Sequence, residues 1–370
     1  MAVVRASLVA AVIVTAAIAL TAAGQKRPAP PAPAATYHLL DTGVPAPKAE
    51  KAGIRLDLYV PARNALPVRN GARPSPSRLF VFIVGGLWSM PDDNYTVGPA
   101  LGDEMQREGI TTAIIRFAIA DGYLLEPCTR DIASVIARLA GRAGEFGFDP
   151  KRVVLGGHGV GALVASILSL DARYFMAAGL DASRVAGVVG LRGIYDLSDS
   201  ALAGNPQRAF YEWAAGKDSS ARRAVSPIEL VRADSPPFLL LSGGDDAAGF
   251  AQAGRNFGRA LERAGHPSVQ SYVVPERDGR TLVNLSGDGN HVTVLVAGFV
   301  RGDPIPEPIE GPWAAKQIWQ RNPPLSSEPL YPRGGFGSIS VTCTLNSSTS
   351  ITVSTLKNVS PNTGFMCAQW

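Results

Sequence analysis

From residue 79 onward, short runs of consecutive apolar residues alternate with longer stretches in which apolar positions recur every three or four. The runs fall at 79–84, 111–115, 152–155, 185–191, 238–242 and 268–274, and the helical stretches at 100–108, 131–142, 162–168, 250–264 and 292–300. Runs of four to eight apolar residues without alternation are strands covered on both faces. Their regular exchange with helices predicts an α/β architecture with a mostly parallel central sheet. Upstream, Ile54-Arg55-Leu56-Asp57-Leu58-Tyr59-Val60 alternates apolar and polar positions as a half-buried strand does. Downstream, residues 303–334 are crowded with prolines and hold Trp313 and Trp319, a composition suited to a segment lying along the domain surface. Residues 338–345 and 350–354 alternate again about a polar turn, which predicts a two-stranded hairpin in the extension 335–370.

The amino-terminal end has a different character. Arg5 is followed by an uncharged apolar stretch, 6–23, with small residues at 22–24, so residues 1–24 have the layout of a secretory signal peptide. The stretch is also long enough to act as an uncleaved signal anchor. The expected location is secreted or periplasmic, with membrane anchoring by 6–23 as the alternative. Residues 25–52, rich in Pro and Ala, read as an extended tether leading into a main domain over 53–302.

The 370 residues, 46% hydrophobic and 18% charged, suit one large domain with appendages. A net charge of +4 with scattered arginines excludes a nucleic-acid partner. Neither a cofactor nor a metal is expected. In an oxidising compartment Cys343 and Cys367 are close enough in sequence to pair. Cys128 is left over, just before a predicted helix at 129–139, and reads as a small, partly buried residue.

Gly157-His158-Gly159-Val160-Gly161 joins the run 152–155 to the helix 162–168. It has the spacing of G-x-S-x-G, the strand-to-helix turn that presents a nucleophilic serine, with Gly159 in the serine's place. Val84-Gly85-Gly86-Leu87-Trp88 ends the first core run, and a glycine pair there lets backbone N–H groups turn toward a site. With Val160, Gly86 and Leu87 are the candidate donors of an oxyanion hole. Leu241-Ser242-Gly243-Gly244-Asp245-Asp246 closes a later strand with an acid. Asp246 is preferred to Asp245 because the strand has turned fully into loop there. Among the histidines, His38 lies in the tether, His158 inside the elbow and His266 in a turn, which leaves His291, just before the last helix, as the base. The order 159, 246, 291 is that of an elbow, acid and base.

With these residues in place, the chain resembles the esterase and lipase branch of the α/β-hydrolase fold, near its feruloyl-esterase-like and kynurenine-formamidase-like members. There the loop commonly reads H-G-G-x-W, against Val84 to Trp88 here, and the elbow G-H-S-A-G-A, against Gly157 to Ala162. Gly193-Ile194-Tyr195-Asp196-Leu197, Ser226-Pro227 and Pro236-Pro237-Phe238-Leu239-Leu240 also resemble the branch. The resemblance spans about 53–300 and implies a small ester or acyl ligand. Two departures fall on the chemistry, Gly159 for serine and Val84 for histidine.

Three functions follow from this pattern. The first is an exported protein of esterase descent with impaired catalysis. The second is an active ester hydrolase, using a water activated by His291 or having lost its serine by mutation in this sequence. The third is an interaction protein assembling through the hairpin of 335–370, which offers strand edges to a partner or a second copy.

Overall fold

The computed structural model of the chain describes residues 35–39, 53–61, 77–85, 97–119, 124–266, 268–283, 291–304, 320–321, 338–345 and 349–357. The strands are Ala35–Leu39 (β1), Gly53–Val60 (β2), Ser77–Gly85 (β3), Thr111–Ala118 (β4), Phe148–His158 (β5), Val185–Leu191 (β6), Phe238–Gly243 (β7), Val269–Val274 (β8), Gln320–Arg321 (β9), Ser338–Leu345 (β10) and Thr349–Lys357 (β11). The helices are Val97–Arg107 (α1), Leu125–Gly141 (α2), Ala143–Phe146 (α3), Val160–Leu170 (α4), Ala172–Ala177 (α5), Arg208–Ala215 (α6), Ser219–Ala224 (α7), Ala248–Arg263 (α8), Gly279–Leu282 (α9) and His291–Arg301 (α10).

Among the described residues nine strands form one sheet, in the order β1-β2-β4-β3-β5-β6-β7-β8-β9. It is parallel from β4 through β8, and β1, β2 and β9 add antiparallel edges. The central parallel strands carry apolar runs, such as 79–84 in β3 and 238–241 in β7, because both faces are covered. Successive side chains point to opposite faces. In β3, Leu79, Val81 and Ile83 join one core cluster, and Phe80, Phe82 and Val84 join the other. The first cluster receives Ile132 and Ile136 of α2, Leu163 and Val164 of α4, and Phe257 and Leu261 of α8. The second receives Leu101 and Met105 of α1 and Leu295 and Val296 of α10. The result is a sheet between two helical layers, and each such buried side chain contributes about 1.5–3 kcal/mol of hydrophobic stabilisation.

The expected α/β-hydrolase architecture is therefore observed, together with the separate hairpin of β10 and β11. Two local readings change. Residues 35–39, placed in the tether by the prolines and alanines around them, form β1, with His38 opposite Asp57 of β2. Thr36-Tyr37-His38-Leu39 is a proline-free stretch whose backbone groups an adjacent sheet edge can use. Cys128 does not precede its helix but lies within α2, fully buried among Leu125, Thr129 and Ile132 at helical spacing. The apolar stripe that starts the helix begins at Leu125, one turn earlier than the polar residues around 129–131 imply.

Between β6 and β7 the chain runs through α6 and α7, and Tyr211 and Ala214 of α6 join the first core cluster. Arg222 organises this segment. Although 1% exposed, its guanidinium donates to the carbonyls of Leu197, Gly216 and Lys217 and pairs with Asp199. Ser226 Oγ accepts from Leu197 N and donates to Arg222 O, both at 2.9 Å. A buried cation is tolerated here because its donors are spent on acceptors.

Candidate active site

The carboxyl ends of β3, β5, β6 and β7 lie side by side, where open α/β sheets bind ligands. At the end of β5 the chain turns into α4 through Gly159, with φ 56° and ψ −118°. Gly159 N donates to Leu191 O of β6 at 3.0 Å, and Gly159 O accepts from Ala162 N and Leu163 N at 3.1 and 3.2 Å to start the helix. The flanking glycine is sterically required, since a Cβ on Gly157 would lie 2.3 Å from the carbonyl carbon of Gly161. At Gly159 the constraint is conformational alone. A Cβ there meets no atom within 4 Å, yet the positive φ disfavours any L side chain. This is the sharp, strained turn that a nucleophile elbow needs.

Val84 pairs with His158 across the sheet, so the end of β3 adjoins the elbow. Val160, the third candidate donor, is the first residue of α4, where a helix leaves its N–H groups without intrahelical acceptors. Gly86 and Leu87 lie outside the described residues. His291 is the first residue of α10, and its side chain lies outside the described ones.

Asp246 follows β7, with its carboxylate 3% exposed. Its Oδ1 accepts from Arg192 Nε and from Gly279 N, both at 2.8 Å, and Oδ2 accepts from Gly243 N at 3.1 Å. Asp245 is exposed. The structure thus brings Asp246 to the same end of the sheet as Gly159, with β6 between them. It also brings in Arg192, which sequence reasoning missed. The available signal was a charged residue directly after the apolar run 185–191, at a strand's carboxyl end.

His158 is the other ionisable group at the elbow. Burial first, and the Arg192 guanidinium second, push its pKa down to about 4. Gly279 backbone and Asp278 oppose this weakly, and neither ring nitrogen has a hydrogen-bond partner of acceptable geometry. His158 is therefore neutral at neutral pH. Ser166, the serine next along α4, is fully buried and donates to Ala162 O at 2.8 Å, so its hydroxyl is committed to the helix. Cys128, within α2, belongs to the first core cluster. Among the described residues no group of His, Cys, Asp or Glu is arranged to hold a metal ion.

This sheet, with a strained strand-to-helix glycine turn and a buried acid at its carboxyl edge, defines an α/β-hydrolase-fold protein of the esterase type. The family model described as BD-FAE matches residues 56–260, more than half of the chain, and the chain belongs to that family. It is 26% identical over 228 residues to a probable isoprenylcysteine alpha-carbonyl methylesterase of Arabidopsis thaliana, covering 57% of this chain and 45% of that protein. It is 25% identical over 214 residues to Esterase LipC of Mycobacterium tuberculosis, covering 54% and 52%. The chain thus spans about half the length of the curated relatives it matches. Among solved structures, a truncated carbohydrate esterase from gut microbiota superposes with a TM-score of 0.57 at 15% identity, covering 74% of this chain and 98% of that one. The carboxylesterase EstE1, cloned from a metagenomic library, gives 0.55 at 17% identity, covering 76% and 92%. These likenesses bear on the fold.

Proposed function

We propose that this chain is an exported protein of carboxylesterase descent in which Gly159 stands at the nucleophile position, so that no acyl-enzyme forms. The observation that carries the reading is the backbone of Gly159, which has the elbow's strained turn and no side chain to present from it. Descent from enzymes acting on carboxylic esters is supported by relatives named as methylesterase and esterase. Export is supported by the order of charge, apolar stretch and small residues in 1–24. Loss of the serine from a comparable triad lowers turnover by about 10⁶, while an oxyanion hole and binding alone retain about 10³–10⁴ over water. What remains is a ligand site for a small ester or acyl group at the strand ends. The hairpin of β10 and β11 is a second surface, suited to self-association or a protein partner.

Hydrolysis of p-nitrophenyl butyrate by this chain, by Gly159→Ser and by His291→Ala tests the reading. The expected result is background turnover by the unmodified chain and a gain confined to proteins carrying Gly159→Ser. Turnover by the unmodified chain that disappears in His291→Ala would overturn it in favour of a water activated by His291.

A further inference from the structure

We infer that Arg192 is a positioning residue that holds Asp246 and matches its charge, so that the acid is poorly suited to stabilise a histidine cation. The inference rests on the reading of Asp246 and His291 as acid and base. It is carried by the environment of Asp246.

A carboxylate offers about four acceptor directions. Both directions on Oδ1 are taken, by Arg192 Nε and Gly279 N, and one on Oδ2 is taken by Gly243 N. A histidine using the last direction would place its imidazolium beside a guanidinium already paired with the same carboxylate. The acid of a triad works by holding the imidazole and stabilising its charged form. Here the carboxylate's charge is already matched, and a second cation is opposed. The field of Arg192 reaches the elbow, where it adds to burial in keeping His158 neutral.

The arginine is held in this role from three sides. Its backbone sits at φ 51°, a conformation that residues with side chains avoid, and its N–H donates to Leu241 O at 2.7 Å. Its guanidinium carbon lies 3.6 Å above the ring centre of Phe250, a cation–π stack that fixes the plane of the fork. Its aliphatic stem crosses Gly279 so closely that a Cβ there would lie 2.3 Å from Arg192 Cδ. Surface ion pairs do not recruit strain, a stacked ring and a glycine contact together. In this chain the acid is thus paired with Arg192, in addition to the elbow turn having no side chain at Gly159.

The test is made in the Gly159→Ser background, by comparing p-nitrophenyl butyrate hydrolysis with that of Gly159→Ser combined with Arg192→Asn or with Arg192→Lys. Asn tolerates positive φ and removes the charge, and Lys keeps a charge without the Nε–H donor. Freeing the acid is expected to raise kcat/KM at least about tenfold in the Asn double variant, within the about 10⁴ that a triad's acid is worth. The Lys double variant should gain less. The acid limb of the pH profile should also move to higher pH, because an imidazolium relieved of a neighbouring cation is easier to form. If the Asn protein fails to fold, Gly159→Ser combined with Arg192→Gly, which also suits positive φ and removes the charge, is read by the same two criteria. Equal kcat/KM in single and double variants, inactivity of both, or an unmoved acid limb overturns the inference. Failure of the proposed function is separate, since it shows as His291-dependent turnover in the unmodified chain.

Discussion

Placing a side chain at Gly159 is the most informative perturbation, because space and strain make opposite demands there. A Cβ meets no atom within 4 Å, so no packing is lost. The residue must nevertheless hold φ 56° and ψ −118°, and such conformations cost about 1–3 kcal/mol for a residue with a side chain. In a domain of this size each kcal/mol lowers Tm by about 2–4 °C, so Gly159→Ser and Gly159→Ala should both melt roughly 2–12 °C below the unmodified chain. The two should agree closely, since the strain arises from Cβ and not from the hydroxyl. Gly157→Ala is the contrasting case. Its Cβ would lie 2.3 Å from a backbone carbon of Gly161, a clash no rotamer relieves, and the loss should exceed the about 1–3 kcal/mol of an ordinary overpacked core. Thermal unfolding followed by circular dichroism, with ester hydrolysis on the same samples, reads all three. A Gly159→Ala protein as stable as the unmodified chain would refute the strain argument, as would a Gly157→Ala protein no less stable than Gly159→Ala. Hydrolysis should appear with Ser and not with Ala.

Three further outcomes are expected. Asp246→Ala removes the partner of Arg192 and the acceptor of two backbone N–H groups, and should cost about 2–4 kcal/mol in urea denaturation, somewhat below the about 3–5 kcal/mol of a fully buried broken pair because Arg192 is 27% exposed. His158 is held neutral in the fold with a pKa of about 4 against about 6.5 unfolded, so below pH 6.5 the unfolded chain takes up a proton that the folded chain does not. Stability from this group is complete above that pH and falls through the window down to pH 4 by up to about 3 kcal/mol, and His158→Gln should flatten that part of the acid profile. Arg222→Met leaves Asp199 and the Leu197, Gly216 and Lys217 carbonyls without their donor, and should cost about 3 kcal/mol while hydrogen exchange quickens across 196–224 first. Uniform loss of protection over the whole sheet would contradict the role given to Arg222.

What could be read along the chain was set by the range of each interaction. The runs that became β3, β6 and β7 are local patterns, since a strand buried on both faces must be apolar at every position, and the elbow is a local motif whose turn needs its own glycines. Cys128 and β1 were misread for equally local reasons, a helix start taken one turn late and a strand hidden among prolines. The partner of Asp246 was of another kind. Arg192 and Asp246 are 54 residues apart and Gly279 is a further 33 beyond, and they meet only because β6 and β7 are sheet neighbours and the chain after β8 folds back over their ends. Spacing identifies an acid that follows β7; it does not identify the group that occupies that acid. The same limit applies to every triad read from order alone, and it sets where the question of catalysis lies in this molecule. Gly159 stands out in the sequence itself, as the glycine at the centre of Gly157-His158-Gly159-Val160-Gly161. Arg192 becomes visible only when β6 is in place between the Gly159 turn and Asp246, and the hydrolysis of the two double variants reads what its ion pair does to that acid.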